Sequence, residues 1–208
     1  MAAEHSPVDP AERDPKPATA ATRDRQAEVR AALPLDDRES FDNARRGLIA
    51  SIDPVTIRHR ERGHPVYDLS GLGFLDGEAP DTVNPSLWRQ AQLNALHHGL
   101  FEVVPGIWQV RSFDIANMTL VKGDTGWIVF DPLVSAEAVR AATRLFQEKV
   151  GEGRPITAVI YSHTHGDHWG GVRGLEKPSV HALPPSGARR DLCGGVHYSA
   201  LHDSGRCS

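Results

Sequence analysis

From Phe101 onward, apolar and polar positions alternate with the two-residue period of half-buried strands. Phe101-Glu102-Val103-Val104 and Ile107-Trp108-Gln109-Val110 flank Pro105-Gly106 and predict two short strands across a tight turn. Met118-Thr119-Leu120-Val121-Lys122 and Trp127-Ile128-Val129-Phe130 predict a hairpin closed by Gly123-Asp124-Thr125-Gly126. The second run stops at Asp131-Pro132, because proline has no N–H to extend a ladder. The period then becomes helical. Ser135 is placed to cap a helix that carries Val139, Ala142, Phe146 and Val150 on one face, and Gly151 and Gly153 end it. Ile156 to Tyr161 reads as a buried strand. The order over residues 101–171 is β-β-β-β-α-β followed by a polar loop, which predicts an α/β (α+β) fold with its chemistry at one sheet edge.

The chain before Phe101 is less regular. Residues 1–36 carry five prolines among alanines and alternating charges, a composition that buries too little apolar area to offset ordering entropy. They predict a disordered arm, with helix-favouring residues only around Thr22 to Leu33. A helical turn is expected within Asp36–Gly47, with Phe41, Ala44 and Leu48 on one side. A short strand or hairpin closed near Gly63 is expected within Ile57–Leu69. Phe74 to Pro80 is a turn-rich connector. Asn84-Pro85 then starts a helix, asparagine as cap and proline at the first helical position. This helix should run through Leu87, Trp88, Ala91, Ala95 and Leu96 to a stop at Gly99, with His97 and His98 meeting the helix dipole in its last turn. Residues 37–100 therefore form one region and 101–175 another. Residues 176–208 show no strand or helix period and read as a disordered tail.

Composition narrows the function classes. Hydrophobic residues make up 39% and charged residues 24%, and the formal charge is −4 without a basic stripe, which argues against nucleic acid as a partner. No run of 18 apolar residues predicts a membrane span. The first residues lack a basic start followed by an apolar stretch, so a cytoplasmic location is expected. Cys193 and Cys207 do not form a Cys-x-x-Cys pair and argue against a disulfide framework.

The chemistry concentrates in Tyr161-Ser162-His163-Thr164-His165-Gly166-Asp167-His168-Trp169-Gly170-Gly171. Three histidines and an aspartate directly after a buried strand offer the nitrogen and oxygen donors that divalent ions prefer. His163 and His165, two apart, point the same way in an extended backbone and can share one ion. Asp167 and His168 are adjacent and should diverge toward a second. Asp167 is also the candidate catalytic carboxylate, able to orient the attacking water. Asp131, at the end of the neighbouring strand, is a candidate for holding an imidazole in orientation, and Asn117, just before the Met118 strand, is another. Trp169 is expected to pack beside the loop.

These residues resemble the metallo-β-lactamase superfamily, and within it the linear alkylsulfatases. The resemblance is carried by His163-x-His165-x-Asp167-His168 and by Phe74 to Gln90, which includes Asn84-Pro85-Ser86-Leu87-Trp88. Gly106-Ile107-Trp108-Gln109-Val110-Arg111, Asp114 to Met118 and Asp131 to Glu137 carry it further. It implies an αββα sandwich of which this chain holds the N-terminal half, and a binuclear zinc hydrolase that converts alkyl sulfate esters to alcohol and sulfate. His163 and His165 would hold one zinc, and Asp167 and His168 the other. Family members homodimerise through a later region. The likeness fades after about Gly174, so a truncated or frameshifted product is expected, with one sheet face and an edge strand uncovered. The remaining alternatives are an inactive remnant that binds metal weakly, or another hydrolase of the superfamily such as a lactonase or thioesterase.

Overall fold

The computed structural model describes residues 16–53, 56–175 and, as backbone, 181–183. The chain divides into two compact units. One comprises residues up to Asp37 together with Leu75–Gln92, and the other comprises Arg38–Phe74 and everything from Leu93 onward.

In the first unit, helix α1 (Ala20–Ala32) is capped by Thr19, whose hydroxyl accepts the N–H of Thr22 at 3.2 Å. Helix α1 falls where the sequence carries helix-favouring residues around Thr22 to Leu33, because alanine, glutamate and arginine supply helix propensity and the threonine supplies a cap. Residues 1–15 lie outside the described residues. The helix predicted at Asn84-Pro85 is α2's successor in the chain, α3 (Pro85–Leu96), with α2 at Glu39–Ala44 in the second unit. Asn84 Oδ1 accepts from the Ser86 N–H at 2.9 Å. The helix ends at Leu96, so His97 and His98 lie just past its last turn, and His98 Nε2 meets the Ile52 carbonyl at 3.2 Å.

The second unit is built on a seven-stranded sheet. Its strands are β1 (Leu48–Ala50), β4 (Gly99–Val104), β5 (Ile107–Arg111), β6 (Met118–Lys122), β7 (Trp127–Phe130), β8 (Ile156–Ile160) and β9 (His181–Leu183), adjacent in that order. A separate hairpin pairs β2 (Thr56–Arg58) with β3 (Pro65–Asp68). The pairs from β1 to β7 are antiparallel, whereas β7–β8 and β8–β9 are parallel. A parallel pair needs a crossover, and helix α4 (Ala136–Lys149) supplies it between β7 and β8. Within the stretch read as a tail, the three residues of strand β9 pair with β8, a ladder too short to show a sequence period. The other residues of 176–208, with Cys193 and Cys207, lie outside the described residues.

The alternation of side chains places Trp108, Leu120, Val129 and Val159 on one sheet face, all buried and in mutual register. Helix α4 covers that face with Ala138, Val139, Ala142, Leu145 and Phe146, a stripe at helical spacing. Trp127 meets Phe146 edge to face at 4.8 Å and Trp108 at 5.5 Å between ring centroids. The Trp127 indole N–H donates to the Gly151 carbonyl at 3.0 Å, tying the end of α4 to the sheet. This fixed βαβ unit sets the two loops that carry the chemistry, Asp131–Ser135 after β7 and Tyr161–Gly171 after β8. Among the described residues no helix is long and apolar enough to cross a membrane.

Candidate metal centre

Parallel register dictates the site. Phe130 pairs with Ile160, so the residues that follow each strand emerge side by side at the same sheet edge. The Asp131 N–H donates to the Ile160 carbonyl at 3.0 Å and continues the ladder by one bond. The backbone then turns away. Asp131 has φ +52° and Leu133 has φ +51°, and the Leu133 N–H returns to the Asp131 carbonyl at 2.8 Å across Pro132. Positive φ is tolerated by aspartate but is uncommon for leucine, so this is a strained loop, held because Leu133 is fully buried.

The turn aims the Asp131 carboxylate across at the β8 loop. Oδ1 accepts the Ser162 N–H at 2.7 Å. Oδ2 accepts the Ser162 hydroxyl at 2.6 Å and meets His168 Nδ1 at 2.9 Å. A carboxylate has no proton to give, so His168 carries a proton on Nδ1, while its Nε2 faces a second carboxylate, Asp167 Oδ2, at 3.2 Å. The Ser162 oxygen also lies 2.9 Å from His163 Nδ1. The three imidazoles are gathered: the His163 ring is 4.0 Å from that of His168 and 4.7 Å from that of His165. His163 and His165 are exposed, while Asp167 and His168 are half-buried.

The expected donors are thus brought to one place: Asp167 lies beside His168, and the His163 ring lies between those of His165 and His168. Among the described residues no three His, Cys, Asp or Glu side chains converge on a point that would hold an ion. Asn117 is exposed, with no hydrogen bond to the cluster among the described residues. Trp169 packs against the core, as expected, and its indole N–H donates to the Thr164 carbonyl at 3.0 Å across the loop.

Two residues here escaped the sequence reading. Ser162 forms three of the contacts just described; its signal was a hydroxyl residue beside a parallel strand that ends in aspartate. Asp114 is buried and ties two loops together, Oδ1 accepting the Ala116 N–H at 2.8 Å and Oδ2 the Val134 N–H at 2.8 Å. Burial pushes its carboxyl above the ordinary aspartate value. The two backbone N–H groups act against that shift, the charge of Asp167 adds to it, and His168 opposes it. Nothing in the local sequence marks Asp114 as buried, since the contact with Val134 spans the β6–β7 hairpin.

The metallo-beta-lactamase superfamily pattern matches residues 111–185, from the end of β5 past the loop after β8. Over that stretch the chain resembles the superfamily, for which metal ions are general. Its relatives are alkylsulfatases. It is 49% identical over 162 residues to a linear primary-alkylsulfatase of Pseudomonas sp, covering 77% of this chain and 24% of that protein. It is 50% identical over 163 residues to an (R)-specific secondary-alkylsulfatase of Pseudomonas sp, covering 78% of this chain and 24% of that protein. The solved structure of a stereoselective inverting sec-alkylsulfatase from Pseudomonas sp superposes with a TM-score of 0.74 at 47% identity, over 85% of this chain and 28% of that one. The chain therefore spans about a quarter of the length of the relatives it matches.

Proposed function

We propose that this chain carries part of the active site of an alkyl sulfate ester hydrolase, with His163, His165, Asp167 and His168 as zinc ligands and Asp131 as the group that orients His168. The observation behind this reading is the join between site and relatives. The edge where Asp131, Ser162, His163 and His168 meet lies within the stretch matched to the metallo-beta-lactamase superfamily, in a chain about half identical to two alkylsulfatases over 162 and 163 residues.

The donor set suits a borderline metal such as zinc, since imidazole nitrogen and carboxylate oxygen are among its usual ligands. His168 presents Nε2 because Nδ1 is committed to Asp131. A bound ion would supply Lewis acidity, polarising a sulfate oxygen and making water a nucleophile near neutral pH. The chain's own residues orient and hold protons. Asp131 fixes the direction of the His168 ring, and Asp167, half-buried beside Nε2, is the carboxylate placed to accept a proton from attacking water. The proposed substrate is a small alkyl sulfate such as dodecyl sulfate.

A second reading has one observation in its favour. Because no three donors converge among the described residues, the chain alone can hold metal weakly and do no chemistry. Purified protein supplied with zinc separates the two. The hydrolase reading expects at least one zinc per chain and zinc-dependent sulfate release from dodecyl sulfate, both lost in His165→Ala. Less than one zinc per chain together with no sulfate release would rule it out for this chain.

A further inference from the structure

The Ser162 hydroxyl has one hydrogen and two polar neighbours. One is Asp131 Oδ2 at 2.6 Å, which when ionised can only accept. The other is His163 Nδ1 at 2.9 Å, which can donate or accept. The hydrogen therefore goes to the carboxylate, and His163 must carry a proton on Nδ1 to use the remaining lone pair of the serine oxygen. The same carboxylate fixes His168 directly, through Nδ1 at 2.9 Å.

We infer that Ser162 is a positioning residue that extends the reach of Asp131, so that one carboxylate fixes the Nδ1 proton of two imidazoles, His168 by contact and His163 through the serine hydroxyl. His163 is thereby left with an unprotonated Nε2, the form in which a histidine can donate to a metal ion, whereas His168 Nε2 faces the Asp167 carboxylate at 3.2 Å. The Ser162 N–H at 2.7 Å from Oδ1 holds the serine in place, so the relay is bidentate at the carboxylate. Ser162 sits between the end of β8 and the first histidine of the cluster, within hydrogen-bond distance of both Asp131 and an imidazole. The inference rests on the reading of His163 as a ligand for its purpose, but not for its proton placement.

The test is nitrogen-15 NMR of histidine side chains in the metal-free full chain, paired with zinc titration against a competing chelator. Wild-type His163 should show a protonated Nδ1 and a free Nε2. In Ser162→Ala it should move to the Nε2-protonated form that imidazole favours in water, and zinc affinity should fall about 10- to 100-fold, the range for losing an outer partner of a ligand. Ser162→Thr, which keeps the hydroxyl, should retain the wild-type tautomer and affinity within about threefold. Asp131→Ala should give the same His163 tautomer as Ser162→Ala although Ser162 is intact, because the serine hydrogen is then free to turn to Nδ1. An unchanged His163 tautomer in Ser162→Ala, or a Ser162→Thr protein that behaves like Ser162→Ala, would overturn the inference. A tautomer shift in a protein that never releases sulfate would support the role of Ser162 while removing the hydrolase reading.

Discussion

At the scale of single residues, the site depends on carboxylates whose surroundings differ. Asp131 is partly solvated and accepts three hydrogen bonds, whereas Asp114 is buried and accepts two from the backbone. Asp114 carries the cost of desolvation, and its raised carboxyl value has a definite consequence for stability. Between the unfolded and the folded value the native state binds the extra proton, so the contribution of this group to stability is fullest below the unfolded value. It is lost as pH rises through the folded one. Replacing it with asparagine removes the charge but sets an NH₂ group against a backbone N–H, either that of Ala116 or that of Val134. One buried donor is then left without an acceptor, at a cost of about 1–3 kcal/mol. Asp114→Asn should therefore be less stable than wild type at neutral pH in urea denaturation, and the gap should widen as the pH falls into the carboxyl range. A gap that closes on acidification would show that the sign is wrong.

At the scale of elements, what could be read from the sequence and what could not have a common cause. Strands β4 to β8 and helix α4 were legible because their periods are local: Trp108 and Val110, or Val139 and Phe146, repeat within a few residues. The histidine cluster was legible because all its donors lie within six positions. Which histidine Asp131 holds was not, since its carboxylate reaches Ser162 and His168 from 31 and 37 residues away. Loop packing was equally hidden. Gly171 donates its N–H to the Leu133 carbonyl at 2.8 Å. A Cβ there would stand 2.4 Å from the Pro132 carbonyl oxygen, 2.6 Å from that of Ser135 and 2.6 Å from Val139 Cγ2. Two of these are backbone and the third is core, so none can give way cheaply. Gly171→Ala should lose about 1–3 kcal/mol by overpacking. By displacing the Asp131–Ser135 loop it should also weaken zinc binding, although residue 171 touches no donor. Denaturation and chelator competition on the same preparation check both halves, and a loss of stability with unchanged affinity would show that the two loops are not mechanically coupled.

At the scale of the sheet, the two faces are unequal. Trp108, Leu120, Val129 and Val159 form a row buried on the α4 side, while the row one residue along, Ile107, Val121, Ile128 and Ala158, is only half-buried. Phe130 and Ile160 pair on that same face and are also half-buried. A continuous apolar strip of this kind either acquires a cover or associates with itself. The relatives are about four times as long as the stretch they share with this chain, so this face need not be open in them. In the 208-residue protein itself, the strip should bind an environment-sensitive apolar dye, and sedimentation should show self-association that increases with protein concentration. Ile128→Lys tests this at the centre of the strip. The lysine stem can lie along its apolar neighbours while the ammonium reaches water, so folding should survive. Dye binding and association should both fall severalfold. The same change at Val129, one residue along and fully buried under α4, should instead prevent folding, because it places an unpaired charge in the core. A wild-type protein that stays monomeric at high concentration and binds no dye would mean that the strip is already covered within the chain.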